Sequence, residues 1–180
     1  MENWREFEKL SMEYFYNQVE KIGVPVKLFD ADEQVPVQVL FMLLENMGKK
    51  ELTVKLEICY LPVEENLREM ADFNFVQYYV TILENIEPSK VDNLVKLVHE
   101  INGVIPIGFL GINKDLGSLY LRYQAPYMQT MELGEFAHLN DACVSTIINT
   151  INLYIDILYD VANGDLTFPN AVKLINETIG

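Results

Sequence analysis

The chain has 180 residues, half of them apolar, with 27 acidic against 13 basic residues and a net charge of −14. This length suits a single domain with a substantial core, and the apolar share is too high for a disordered chain. An acidic field repels phosphate backbones and anionic lipids, so neither nucleic acid nor a membrane is an expected partner. It suits a basic or neutral polypeptide, although solubility alone is an equally good reason for the charge.

Several features predict a cytoplasmic protein without a metal or cofactor. The longest apolar run, Val39–Leu44, is strand-sized and well short of the roughly 18 residues of a membrane span. The first residues lack the basic and apolar regions of a signal peptide. Cys59 and Cys143 are far apart and have no neighbouring Cys or His with which to form a metal motif.

The first half of the chain predicts one helix followed by strands. Apolar residues at helical spacing predict an amphipathic helix over residues 2–22, ended by Gly23. The segment 24–30 is extended or a short strand. Strands are predicted over 37–46 and 51–60, joined by turn residues 46–49. In the second strand apolar and polar residues alternate, and the apolar face consists of Leu52, Val54, Leu56, Ile58 and Tyr60.

The middle of the chain is more ambiguous. Residues 61–74 are interpreted as a loop with one or two helical turns. Residues 75–83 favour a strand because they are rich in β-branched and aromatic side chains, with a helix over 73–86 as the alternative. A helix is then predicted from Pro88 to Asn102, and its buried stripe consists of Val91, Leu94, Val95, Val98 and Ile101.

The last part of the chain predicts a hairpin and two helices. Strands 105–113 and 118–124 flank turn residues 114–117, and a loop follows over 125–136. The longest helix is predicted from His138 to Asn163, and a short one from Ala171 to Ile179. The candidate dimer or core stripe of the long helix consists of Val144, Ile147, Ile148, Ile151, Ile155 and Leu158. This stripe is wider than one sheet would cover, which predicts a homodimer through the long helix or an exposed sheet face.

The resulting order, α-βββ-α-ββ-α, predicts an α+β fold: an antiparallel sheet of about five strands with helices packed on one face. No linker or repeat divides the chain, so residues 1–180 are expected to form one domain. Residues 1–23 form its leading amphipathic helix and residues 165–180 its short C-terminal helix.

No catalytic constellation is recognisable, and no catalytic, cofactor or metal residue is assigned. His99 and His138 lie in no motif with a nucleophile. Gly108, Gly111 and Gly117 do not have the spacing of a dinucleotide or phosphate loop. Glycines within strands more often mark a bulge, a bend or the close approach of another backbone.

The order and spacing of several short segments resemble the YbjN-like family of bacterial proteins, which is similar in fold to the type III secretion chaperones. The segments are Val98-His99-Glu100-Ile101-Asn102, Pro106-Ile107-Gly108-Phe109, the turn with Asp115 and Gly117, Arg122, and Asp160-Val161-Ala162-Asn163-Gly164. The resemblance implies a small acidic homodimer that binds other proteins without chemistry, with a chaperone-like or regulatory role. The chain departs from the secretion chaperones in its loop at 61–74 and its additional C-terminal helix, so no binding residue is carried over.

The sequence therefore favours a non-enzymatic interaction module that binds a polypeptide partner along its sheet or helical grooves. Apolar residues on both faces of strands 37–44 and 75–83 support this interpretation, although central strands of a sheet covered on both sides have the same pattern. The alternative is an enzyme or small-molecule binder. Its pocket would lie between the sheet and the long helix, where Tyr120, Arg122, Tyr123 and Tyr127 would converge. Arg122 would hold a carboxylate or phosphate there, or it would pair with an acid on a neighbouring strand.

Overall fold

A computed structural model of the protein describes residues 2–33, 35–62, 73–128 and 130–179. The helices are α1 (Glu2–Lys21), α2 (Val91–Asn102), α3 (Leu133–Asn163) and α4 (Phe168–Ile179), and one 3₁₀ turn (Pro88–Lys90) precedes α2. The strands are β1 (Val26–Phe29), β2 (Val39–Met47), β3 (Leu52–Tyr60), β4 (Phe73–Leu83), β5 (Phe109–Asn113) and β6 (Ser118–Met128).

The strands form one antiparallel sheet in the order β1-β2-β3-β4-β6-β5. The predicted α+β class is therefore confirmed, with six strands in place of about five. The additional strand is β1, which pairs with β2 from Val26 opposite Met42 to Phe29 opposite Val39. Residues 73–83 form a strand and not the alternative helix. The predicted helical turns within 61–74 fall mostly on residues 63–72, which lie outside the described residues.

Alternate residues of the strands are buried, so the helices cover only one face of the sheet. In β3, Val54, Leu56 and Ile58 are fully buried, as their alternation predicts, while the residues between them are only half-buried. The same alternation runs along β4 from Asn74 to Ile82. Successive side chains of a strand point to opposite faces, so the half-buried set defines a second face, which we call the open face.

The chain divides into two compact units. Unit 1 comprises Met1–Leu43, Leu56–Tyr78 and Gln124–Val144, and unit 2 comprises Leu44–Lys55, Tyr79–Tyr123 and Ser145–Gly180.

The core of unit 1 is largely aromatic. Phe136, near the start of α3, is fully buried, stacks on Tyr60 at 6.0 Å between ring centroids, and lies 4.9 Å from Tyr127. Phe7 of α1 meets the edge of Phe136 at 6.1 Å. Helix α1 is also joined to β3 through the hydroxyls of Ser11 and Tyr60, 2.9 Å apart. Ser11 and not the neighbouring Leu10 is therefore the buried residue of that turn of α1.

The core of unit 2 contains the buried side of α2, which packs on β5 and α4. Val91, Leu94, Leu97, Val98 and Ile101 are buried, whereas Val95 is exposed. The predicted stripe is therefore wrong at one position, where Leu97 takes the place of Val95. At ~100° per residue, Val95 lies roughly 100° from the centre of the buried arc, and Leu97 lies closer.

A tight turn in unit 2 attaches the β2–β3 hairpin to α3. The backbone N–H of Gly48 donates to Asn152 Oδ1 at 2.7 Å, and the N–H groups of Lys49 and Lys50 donate to the carboxylate of Asp156 at 2.8 and 3.2 Å. Gly48 has φ +68°, and a Cβ there would lie 2.5 Å from Asp156 Oδ1. Only glycine satisfies both the conformation and the contact.

The largest differences between predicted and observed boundaries are at α3, β6 and β5. Helix α3 begins at Leu133, five residues before the predicted start, and β6 runs through Met128 into the predicted loop. Strand β5 begins only at Phe109, because Pro106 and the positive φ of Gly108 (+71°) interrupt the extended segment before it.

The predicted stripe of α3 is buried within one chain. Val144, in unit 1, is 5% exposed, and in unit 2 the values are 0% for Ile147, 2% for Ile151, 0% for Ile155 and 1% for Leu158; Ile148 is half-buried. The width of the stripe therefore no longer gives a reason for a dimer through α3. By length and composition α3 is also apolar enough to cross a membrane, with 39% of its most apolar 18-residue window buried. Core helices of soluble proteins have the same composition.

We expect Ile151→Asp to unfold unit 2. An unpaired carboxylate at this site, which is 2% exposed, costs several kcal/mol, a large part of the stability of a typical domain. The measurement is urea unfolding followed by circular dichroism. Leu153→Asp is the matched control, because Leu153 is 56% exposed on the same helix and its substitution should change stability by about 0.5 kcal/mol or less. Equal stability of the two variants would contradict the burial assigned to α3.

Candidate protein-interaction surface

Along β2, the open face of unit 1 is apolar where antiparallel sheets are ordinarily polar. On β2 it presents Val39, Phe41 and Leu43, which are all half-buried. The face covered by helices carries Leu40 and Met42 between them, at 0 and 3% exposure. A solvated face of an antiparallel sheet usually alternates to polar residues, so this strand is apolar on a side that the described helices do not cover.

Two pairs of phenylalanines lie on this face, one on β1 and β2 and the other on β4, with Glu57 and Cys59 of β3 between the two pairs. Phe29 of β1 is 43% exposed and meets Phe41 edge to face at 6.4 Å between centroids. Lys27 Nζ lies 4.5 Å from the centre of the Phe29 ring. On β4, Phe73 is 46% exposed and lies 5.4 Å from Phe75. We call Phe29, Phe41, Phe73 and Phe75 the phenylalanine surface.

The structure separates the four residues for which the sequence predicts a shared pocket. Tyr120 and Arg122 of unit 2 lie on the open face. Tyr123 has the opposite orientation along β6, and Tyr127, in unit 1, is 1% exposed on the covered face. Residues of a strand that differ by an odd number point to opposite faces, so the four side chains do not converge between the sheet and α3. Tyr120 and Arg122 have even numbers, whereas Tyr123 and Tyr127 have odd numbers. If all four lie on one regular strand, the sequence alone therefore assigns the two pairs to opposite faces.

Buried tyrosines of unit 1 form a polar network. Tyr78 donates to Asn140 Oδ1, and Tyr127 donates to the Tyr78 hydroxyl at an O–O distance of 2.6 Å. Burial, followed by the proximity of Tyr127 and Cys143, raises the pKa of Tyr78 far above its ordinary value. Burial also raises the pKa of Tyr60, against the effect of its hydrogen bond with Ser11. Both phenols therefore stay protonated at neutral pH and do not serve as general bases.

The other residues with reactive side chains lie apart from one another. His99 and His138 are exposed. Cys59 is half-buried, and its burial, followed by the charge of Glu57, raises the pKa of its thiol, which keeps it in the less reactive protonated form. Within residues 2–33, 35–62, 73–128 and 130–179, no three His, Cys, Asp or Glu side chains come together as a metal site.

No protein-family model and no curated protein matches the chain. Among solved structures, it is similar to YbjN from E. coli, a proposed transcription regulator, with 14% identity and a TM-score of 0.44. The similarity covers 79% of this chain and 90% of the YbjN chain. This is a distant similarity of fold, and no functional residue is inferred from it.

Unit 1 also contains a groove with a volume of about 530 Å³. Its lining includes Met12, Asp30, Gln38 and Tyr60. Some of its polar groups have partners: Gln38 Nε2 donates to Asp30 at 3.0 Å, and Tyr60 shares its hydrogen bond with Ser11. Gln38 Oε1, in contrast, is buried and has no hydrogen-bond partner. The volume is in the range of small-molecule sites, about 300–1,000 Å³, and this oxygen would accept a hydrogen bond from a ligand.

The buried phenols predict a loss of stability at alkaline pH. The unfolded state releases their protons near pH ~10, whereas the folded state keeps them, because its phenol pKa values are raised. The free energy of unfolding should therefore stay level up to about pH 10 and then fall by up to ~1.4 kcal/mol per pH unit for each phenol.

Urea unfolding between about pH 8 and 11, together with phenolate absorbance, checks this expectation. Tyr78→Phe should flatten the decline above pH ~10, while its lost hydrogen bonds lower stability by about 1–3 kcal/mol at neutral pH. Ionisation of all 10 tyrosines near pH ~10 in a protein that stays folded would contradict the burial of Tyr60 and Tyr78.

Proposed function

We propose that the protein is a non-enzymatic, cytoplasmic interaction module, chaperone-like or regulatory in role, which binds a polypeptide partner on the open face of unit 1. The observation that carries the proposal is the phenylalanine surface. Phe29 and Phe73 are each exposed by more than two fifths on a sheet whose other face is already packed. Phe29 packs on Phe41 and Phe73 packs on Phe75, and such exposed aromatic pairs favour a protein interface, because their burial against a partner removes them from water.

The chemistry of the surface supports a protein partner over a substrate. The surface is aromatic, and aromatic residues contribute disproportionately to binding energy in protein interfaces. The charge of −14 favours a basic or neutral partner through long-range attraction, which acts mainly on the rate of encounter. Any self-association would use the same open face, since the stripe of α3 is buried within one chain.

The second candidate is a small-molecule binder that uses the groove of unit 1. The volume of about 530 Å³ and the apolar contribution of Met12 favour it. A metabolite retained by the purified protein under native mass spectrometry would support this candidate over the polypeptide partner.

We expect the double variant Phe29→Ser/Phe73→Ser to lose its polypeptide partner while keeping its fold. The measurement is affinity purification from the native cell with quantitative mass spectrometry, followed by titration of the recovered partner. Each exposed phenylalanine that becomes buried in the complex contributes roughly 1–3 kcal/mol, so the affinity should fall at least about tenfold.

Leu116→Ser is the matched control, because Leu116 is 72% exposed in the β5–β6 turn of unit 2. It should bind the partner as the wild-type protein does. Sedimentation of the purified chain separates self-association from the binding of another polypeptide. Unchanged binding by the double variant would contradict the proposal.

A further inference from the structure

The open face of unit 2 carries an aromatic cluster on three strands. Tyr79 of β4 and Tyr120 of β6 stack with their centroids 5.0 Å apart and their planes at 21°. Phe109 of β5, 46% exposed, meets Tyr120 at 6.4 Å, nearly perpendicular to it. A Cβ added to Gly111 would lie 2.5 Å from the Cζ and hydroxyl of Tyr120. The Tyr120 ring therefore lies over Gly111. Because Gly111 has no side chain, it leaves the space that the ring occupies.

Arg122 lies beside this cluster. It is two residues from Tyr120 on β6, hence on the same face, and it is directly opposite Phe109 in the strand pairing. Its Nε is buried and has no hydrogen-bond partner. No ion pair joins Arg122 to an acid in the part of the chain that the structure describes, so the pairing with a neighbouring strand that the sequence suggests is not made.

Arg122 has no acidic partner among the described residues although the chain is strongly acidic. Acidic residues outnumber basic ones by 27 to 13, yet none of those described pairs with this guanidinium. A buried donor without a partner is unfavourable, and a shift of the half-buried Arg122 side chain that lets a ligand accept its hydrogen bond would remove that penalty. The guanidinium fork matches a carboxylate with two parallel hydrogen bonds, and aromatic rings beside it supply the apolar part of a binding site.

We propose that the open face of unit 2 binds a peptide segment through one aspartate or glutamate, whose carboxylate pairs with Arg122. A neighbouring aromatic or aliphatic side chain of the segment packs on Phe109, Tyr120 and Tyr79. A carboxylate fits better than a phosphate, because the field of a chain with charge −14 opposes a dianion more strongly than a monoanion. All of these residues belong to unit 2, so the phenylalanine surface of unit 1 can fail its own test without affecting this site.

Two capped dipeptides test the proposal: N-acetyl-Trp-Glu-amide and its neutral isostere N-acetyl-Trp-Gln-amide. The readout is the ¹H–¹⁵N NMR signal of the Arg122 Nε–H group, assigned with Arg122→Lys, together with the backbone amides of Phe109 and Tyr120. The glutamate peptide should shift these signals saturably and bind about tenfold more tightly than the glutamine peptide.

Matched variants separate charge from geometry. Arg122→Gln should abolish the preference for glutamate, and Arg122→Lys should retain only part of it, because lysine keeps the charge but lacks the planar fork. Gly111→Ala should weaken both peptides, since the added methyl group displaces the Tyr120 ring. Arg5→Lys in unit 1 is the control and should leave binding unchanged.

Several outcomes of the dipeptide titrations would overturn the proposal. These are equal affinity for the two peptides, glutamate binding that survives Arg122→Gln, and the absence of any shift at roughly 10 mM peptide, a concentration well above that needed for even a weak millimolar complex. Tighter binding of N-acetyl-Trp-phosphoserine-amide would replace the carboxylate with a phosphate and would likewise overturn it. Dispersed spectra of Arg122→Lys and Arg122→Gln show that the variants are folded, so a change in binding is not the result of unfolding.

Discussion

The structure depends on the one-sided coverage of its sheet. A strand directs alternate side chains to opposite faces, and the helices bury only one of the two sets. In β3 this gives a fully buried series through Val54, Leu56 and Ile58, with half-buried neighbours between them. The candidate functional features on the sheet therefore depend on which side chains point to the open face. Over Val39, Phe41 and Leu43 of β2 that set is apolar where a solvated face would ordinarily be polar, and on β4 it is largely aromatic, with Gln77 and Thr81 as polar members.

The two units use this open face differently. In unit 1 it carries two phenylalanine pairs, with Lys27 over the ring of Phe29 and Glu57 on the strand between the pairs. The exposed rings suit apolar burial against a partner. In unit 2 the stacked pair of Tyr79 and Tyr120 accompanies an arginine without a partner among the described acids. That composition suits directional recognition of a charged group, since guanidinium–carboxylate pairing adds geometric specificity to the attraction of charges.

Most of the fold could be predicted from the sequence, because its strands and helices have clear periods. The alternation of β3 and the turn at Gly48 identify the central hairpin, and the apolar stripe identifies α3. Boundaries that depend on tertiary packing could not be predicted. Helix α3 begins at Leu133, where Phe136 enters an aromatic core built from distant strands. The buried Ser11 in α1 likewise depends on the hydroxyl of Tyr60, 49 residues away.

The candidate site was less predictable than the fold. The sequence identifies Arg122 and Tyr120 but groups them with Tyr123 and Tyr127, although the odd separations along one strand assign these to the other face. Phe109 and Gly111 were missed as site residues, because only the strand pairing places them beside Tyr120 and Arg122. For the phenylalanine surface, the signal in the sequence is the presence of apolar residues on both faces of the predicted strands 37–44 and 75–83. That signal does not by itself distinguish an open face from a covered one.

Carbene footprinting of the purified chain, read by mass spectrometry, tests the one-sided sheet most directly. Residues on the open face should be labelled strongly, in particular Phe29 and Phe73, which are 43 and 46% exposed. Residues on the covered face should stay unlabelled, in particular Leu40 and Val76, which are both 0% exposed. Strong labelling of Leu40 and Val76, or protection of Phe29 and Phe73 in a chain shown by sedimentation to be monomeric, would contradict the account.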